Sequence, residues 1–201
     1  MKNKKMLKLY FLCFVFIQIN AQTTENSTET TTQTITETTT GNYTETTTEI
    51  ISLLIKNPER PLYLIPGKLS VGSKIEIFGQ MLRPYINNFE ISLSDSSNRN
   101  EHDIIFHMSV RINENVIVRN LLKNRLWGAE ESNDGIPFQS GDEFKMVILI
   151  KRDTFEVDIN DSQFCDFVHR LPLESAKYLH IEGDAKIYSV EIQINHPKQP
   201  E

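Results

Sequence analysis

Beyond Pro61 the chain is written in short apolar or alternating runs: Leu69 and Val71, Ile75 and Ile77, Phe89 to Leu93, Ile104 to Val110, and Ile117 to Leu121. Turn-forming residues separate them, including Pro66-Gly67, Gly72-Ser73, Asn87-Asn88, Asn113 to Asn115 and Asp134-Gly135. That spacing predicts short antiparallel strands. Phe144 to Ile150 then faces Phe155 to Ile159 across Lys151 to Thr154, and Asn160-Asp161 predicts a tight turn before Phe164 to Phe167. A closing strand is expected from Lys186 to Ile194. No segment here sustains a 3.6-residue apolar period, so long helices are excluded and the pattern is that of an all-β sandwich or barrel.

The first sixty residues read differently. Lys2, Lys4, Lys5 and Lys8 precede an apolar run from Leu9 to Ile17, and Ala21 supplies a small residue before a cleavage point. This is the layout of a signal peptide, and the run is shorter than the roughly 20 residues that cross a bilayer. Residues 1–21 are therefore assigned to a signal peptide, which predicts a secreted, extracellular protein with no membrane span in its mature chain. Residues 22–50 are dominated by threonine interleaved with glutamate and have almost nothing to bury, which predicts a disordered stalk. Asn26 and Asn42 open N-glycosylation sequons in it, and its hydroxyls are acceptors for O-linked sugars. Residues 51–60 read as a short connector or a first strand, 61–195 as the folded domain and 196–201 as a tail.

Charge and cysteine content narrow the partners. Cleavage after Ala21 removes four lysines and no acid, which moves the formal charge from −6 to −10. An acidic chain without a basic stripe excludes a nucleic-acid partner. Cys13 leaves with the signal, so Cys165 stands alone and no internal disulfide supports the fold. With Phe164 and Phe167 beside it, Cys165 is expected to be a buried, inert thiol.

Candidate chemistry begins at Phe106-His107-Met108-Ser109-Val110-Arg111. On a strand, Phe106, Met108 and Val110 share the core face, and His107, Ser109 and Arg111 form a polar row on the other. Val118 and Asn120 alternate in the same way on the next strand and extend that row. Trp127, the only tryptophan, lies in the polar stretch Leu126-Trp127-Gly128-Ala129-Glu130. An exposed indole bordered by planar donors and acceptors is a natural receptor for a pyranose ring, which has a C–H face and a hydroxyl rim.

The order His107-x-Ser109-x-Arg111, Val118-Arg119-Asn120, Trp127-Gly128-x-Glu130, Pro137-Phe138 resembles the carbohydrate-recognition signature of the galectin family, normally H-x-N-x-R, V-x-N, W-G-x-E and P-F. The resemblance covers about Pro61 to Ile194. It implies a two-sheet antiparallel jelly-roll-type sandwich that binds β-galactoside glycans without a metal or other cofactor. It further implies that His107 and Arg111 hydrogen-bond the axial hydroxyl of galactose, that Asn120 and Glu130 hold neighbouring hydroxyls and the next sugar, and that Trp127 stacks under the ring.

Two positions depart from the pattern. Ser109 replaces an Asn, offering one donor where an amide offers two, and Ser132 stands where many members carry a second Arg. Losing one or two net hydrogen bonds of about 0.5–1.5 kcal/mol each predicts an affinity lower by about tenfold or more. The competing reading is a protein-interaction or structural sandwich that has lost the sugar. An enzyme is not expected, since Glu130 and Glu131 make no pair of carboxylates facing across a cleft and the histidines lack metal-ligand spacing. Asn160 opens a third sequon on its predicted turn. Valency stays open between a monomer and a weak homodimer.

Overall fold

A computed structural model describes residues 16–24, 28–39, 44–59, 61–82, 88–98 and 102–197. In chain order the strands begin with β1 (Phe16–Thr24), β2 (Thr28–Thr39), β3 (Thr44–Lys56), β4 (Leu62–Leu64), β5 (Lys74–Met81) and β6 (Asn88–Ser94). Then come β7 (Ile104–Arg111), β8 (Val116–Lys123), β9 (Leu126–Trp127), β10 (Glu131–Asp134) and β11 (Glu143–Ile150). The last are β12 (Thr154–Ile159), β13 (Ser162–Val168), β14 (Tyr178–Gly183) and β15 (Ala185–Pro197). Two short 3-10 turns, Ile112–Glu114 and Leu173–Ser175, are the helical elements among the described residues.

These strands form two antiparallel sheets, the sandwich that the resemblance implies and not the barrel that the alternation equally allows. One runs β1-β2-β3-β15-β5-β11-β12-β13; the other runs β10-β8-β7-β6-β14-β4, with β9 hairpinned onto β8. Each contributes one apolar face to a single core. Ile75 and Ile77 of β5, Met146 and Ile148 of β11 and Val190 and Ile192 of β15 are fully buried on the first sheet. Phe89 and Ile91 of β6 and Phe106, Met108 and Val110 of β7 face them from the second. Aromatic contacts bind the layers: Phe106 lies 4.9 Å from Phe155 and Phe89 lies 5.2 Å from Phe144, centroid to centroid. Each such side chain removed from water stabilises the fold by about 1.5–3 kcal/mol.

The N-terminal region differs from its compositional expectation. Where a coil is expected over residues 22–50, the described parts are paired strands: β1 on β2, β2 on β3, and β3 on β15 from Thr48↔Pro197 to Lys56↔Ser189. The reason lies in β3. Ile51, Leu53 and Ile55 recur with period two and pack against the core, so the connector is a strand and its far edge offers free backbone groups to β2. Threonine is β-branched and favours the extended backbone that such pairing needs. The basic start of the signal segment (residues 1–15), Asn26, Asn42 and residues 198–201 of the tail lie outside the described residues.

Candidate carbohydrate-binding cleft

Directly opposed residues in antiparallel strands share a face, so the register of the second sheet defines the rows of its outer surface. One row is His180, Ser92, His107 and Asn120, running from β14 to β8. The next is Glu182, Glu90, Ser109, Val118 and Ser132, ending on β10. Asn88 and Arg111 form a third. The polar face of β7 therefore emerges as the alternation predicts, opposite the buried Phe106, Met108 and Val110.

Trp127 is placed by the hairpin that joins β8 to β9. Lys123 pairs with Leu126 across Asn124 and Arg125, both at positive φ, which is a two-residue primed turn. The indole is 52% exposed and lies 4.9 Å from the His107 ring at an interplanar angle of 53°. Gly128 follows because the chain there passes close to β8: a Cβ would sit 3.0 Å from Asn120 Oδ1 and 3.4 Å from the Leu121 side chain. Gly128 N–H donates to Leu121 O at 3.0 Å, and Asn120 Nδ2 donates to Gly128 O at 3.0 Å. Asn120 Oδ1 accepts from Leu121 N–H at 2.8 Å. One amide hydrogen of Asn120 remains for a ligand.

His107 is held from the other side. Its Nδ1 lies 2.8 Å from Ser92 Oγ, which leaves Nε2 for a ligand. Burial lowers the imidazole pKa from its ordinary 6.5; the field of Arg111 adds to this while Glu90 and Glu130 oppose it, so the ring is neutral at neutral pH. Arg111 Nη2 donates to Glu130 Oε1 at 3.1 Å, and its Nη1 lies 3.7 Å from Glu114 Oε2. With Glu130 half-exposed, this pair is worth about 0–1 kcal/mol to stability. Its value is positional, since a tethered guanidinium loses less freedom on binding.

These groups enclose a cleft of about 310 Å³. Of the residues singled out from sequence, His107, Ser109, Arg111, Asn120, Trp127 and Glu130 line it. Val118 and Ser132 are adjacent in the same row but do not: Val118 is buried within the sheet and Ser132 is exposed on β10. Asn88 and Glu90 of β6, which the sequence reading did not select, also line the cleft. Their signal was present, because Phe89, Ile91 and Leu93 point inward and leave Asn88, Glu90 and Ser92 outward. Ser109 is only 2% exposed, its hydroxyl directed to Glu90 Oε1 at 3.4 Å.

Glu131 faces away from the cleft, as alternation with Glu130 predicts. It pairs with Arg170 and approaches Arg119 Nη2 at 4.0 Å, while Arg170 Nη1 donates to Ala129 O at 3.0 Å. That network holds the segment carrying Glu130 against the sheet edge. Among the described residues, no group of three or more His, Cys, Asp or Glu could hold a metal ion, and no helix is long and apolar enough to cross a membrane.

A two-sheet sandwich with an indole-bordered polar cleft on one outer face has the layout of a lectin domain. The comparisons agree: the family described as galactoside-binding lectin matches residues 62–192. The chain belongs to that family, the galectins. Human Galectin-4 is 30% identical over 150 residues, covering 72% of this chain and 45% of the relative. The chain thus spans less than half of that relative's length. Human Galectin-7 is 30% identical over 128 residues, covering 64% of this chain and 93% of the relative. A 32 kDa β-galactoside-binding lectin of Haemonchus contortus is 34% identical over 122 residues, 60% of this chain and 42% of the relative. Among solved structures, sheep Galectin-11 in complex with glycerol superposes with a TM-score of 0.62 at 27% identity, covering 67% of this chain and 98% of that one.

Proposed function

We propose that this protein is a secreted lectin whose cleft binds the galactose of β-galactoside glycans without a metal. The observation that carries the reading is the convergence of His107, Arg111, Asn120 and Glu130 around the half-exposed indole of Trp127 in one cleft. Trp127 stacks under the C–H face of the ring. His107 Nε2 and Arg111 meet the axial hydroxyl, while Asn120 and Glu130 take neighbouring hydroxyls and the next sugar. An equatorial epimer leaves the fixed groups unpaired, at a cost of about 1–3 kcal/mol for each buried one.

Ser109 and Ser132 make the affinity lower than that of a site with the full motif: the Ser109 hydroxyl, engaged with Glu90, donates nothing to a ligand, and Ser132, beside the cleft on β10, supplies no guanidinium for the adjacent sugar. The runner-up, a galectin fold that has lost sugar binding and serves protein interaction, draws its support from the same two serines. A glycan array of the secreted chain separates the readings. The proposal expects retention of β-galactosides above α-linked and gluco-configured glycans; a folded protein that retains none is the non-binding module.

Secretion belongs to the same proposal and rests on Lys2 to Lys8, the apolar run to Ile17 and Ala21. Asn160, exposed on the turn between β12 and β13, is an accessible acceptor for an N-linked glycan.

A further inference from the structure

Glu90 sits where β6 borders the cleft, directly opposite Ser109, and receives the Ser109 hydroxyl hydrogen at 3.4 Å. Both groups therefore present lone pairs, so this side of the cleft is an acceptor surface. Glu182 stands opposite Glu90 on β14, on the same face, and continues the negative charge beyond the cleft. Among the described residues, the one guanidinium that lines the cleft, Arg111, is already shared between Glu130 and Glu114. With His107 neutral, the described lining sets two carboxylates, Glu90 and Glu130, against one cation and is formally negative.

The sugar's orientation follows from the galactoside reading, on which this inference rests. If the next sugar lies toward Glu130, beside β8 and β10, the galactose ring edge opposite its anomeric carbon points across β7 toward β6. That edge carries the 3- and 4-hydroxyls. We infer that Glu90, with Ser109, makes the cleft select galactosides whose 3-hydroxyl is free and reject those carrying an anionic substituent there, such as a sulfate ester or a sialic acid. A free hydroxyl donates to the acceptor pair. A sulfate or carboxylate removes that donor and sets like charges together where bulk water is partly excluded.

The test is calorimetric titration of the full chain with lactose and with lactose sulfated at the galactose 3-hydroxyl, at about 0.05 M and about 1 M salt, for the wild type and for Glu90→Gln. The wild type is expected to bind lactose at least about tenfold more tightly, with the gap narrowing at high salt as the Debye length falls to about 3 Å. Glu90→Gln keeps the volume and one acceptor oxygen and removes the charge, so it narrows the gap by raising affinity for the sulfated sugar. Equal binding of the two sugars by the wild type, or a gap that Glu90→Gln leaves unchanged, overturns the inference while the galactoside reading stands. A folded wild type that binds neither sugar overturns the galactoside reading and the inference together.

Discussion

The side-chain amide of Asn120 donates to the carbonyl oxygen of Gly128 at 3.0 Å, tying strand β8 to the residue that follows Trp127. One buried side chain thereby serves as cleft lining and as the brace of the indole. Asn120→Ala is expected to lose galactoside binding and also to destabilise the fold by about 1–3 kcal/mol, because Leu121 N–H loses its side-chain partner in a buried place while the exposed Gly128 O turns to water. Thermal melts and titration of this variant measure the two effects together. Loss of binding at unchanged Tm would show that the brace is dispensable.

Gly128→Ala probes the same contact from the other side. The added Cβ falls 3.0 Å from Asn120 Oδ1, so either the hairpin or the amide must shift by a few tenths of an ångström. Affinity is expected to drop severalfold with a change in indole fluorescence and little loss of stability, since the core lies beneath an intact β8.

Much of this arrangement was legible in the sequence. The core face of β7 is written in Phe106, Met108 and Val110, and a lone Trp127 among polar neighbours marks an exposed indole. The Asn160-Asp161 turn was equally plain, and both residues adopt positive φ as a two-residue hairpin demands. Glu90 and Ser92 escaped for a different reason. Alternation sends them to the outer face, but which strand lies beside His107 is a non-local pairing that no local pattern records. The turn at Asn124-Arg125 carries no clear sequence signal, because arginine is an uncommon occupant of the left-handed region that it adopts here. For the Thr-rich strands composition predicts coil, because it reports how little can be buried, whereas their ladders rest on the few apolar residues of β3.

Protonation of His107 supplies a pH signature. Its pKa is lowered in the folded protein, chiefly by burial, so on acidification the unfolded chain takes the proton first. The stability associated with the neutral ring is complete above the ordinary value of 6.5 and declines as pH falls from there toward the lowered folded value. Melts between about pH 7 and pH 5 should show a fall in Tm that is smaller in His107→Gln. An identical fall in the variant would place the titration on other groups.

Cys165, on β13, has its pKa pushed up to about 11, first by burial. At about pH 7.5 its thiolate fraction is then about a hundredfold or more below that of a free cysteine. Iodoacetamide should label the native protein at a correspondingly slow rate and the unfolded protein rapidly. Equal rates would contradict a shielded thiol.

Phe106 carries the junction of the two sheets, touching both Phe155 and Phe167 from a fully buried position. Phe106→Ala should cost about 3–5 kcal/mol in denaturant unfolding. A cost below about 1 kcal/mol would mean that the sheets do not meet there as described.

The central claim is that the cleft around Trp127 holds a galactose ring, and calorimetric titration of lactose into the wild type and into Trp127→Ala tests it most directly. With the indole half in solvent, its removal should leave the fold standing. The account predicts measurable binding by the wild type and none by a folded Trp127→Ala; equal binding by the two proteins would contradict it.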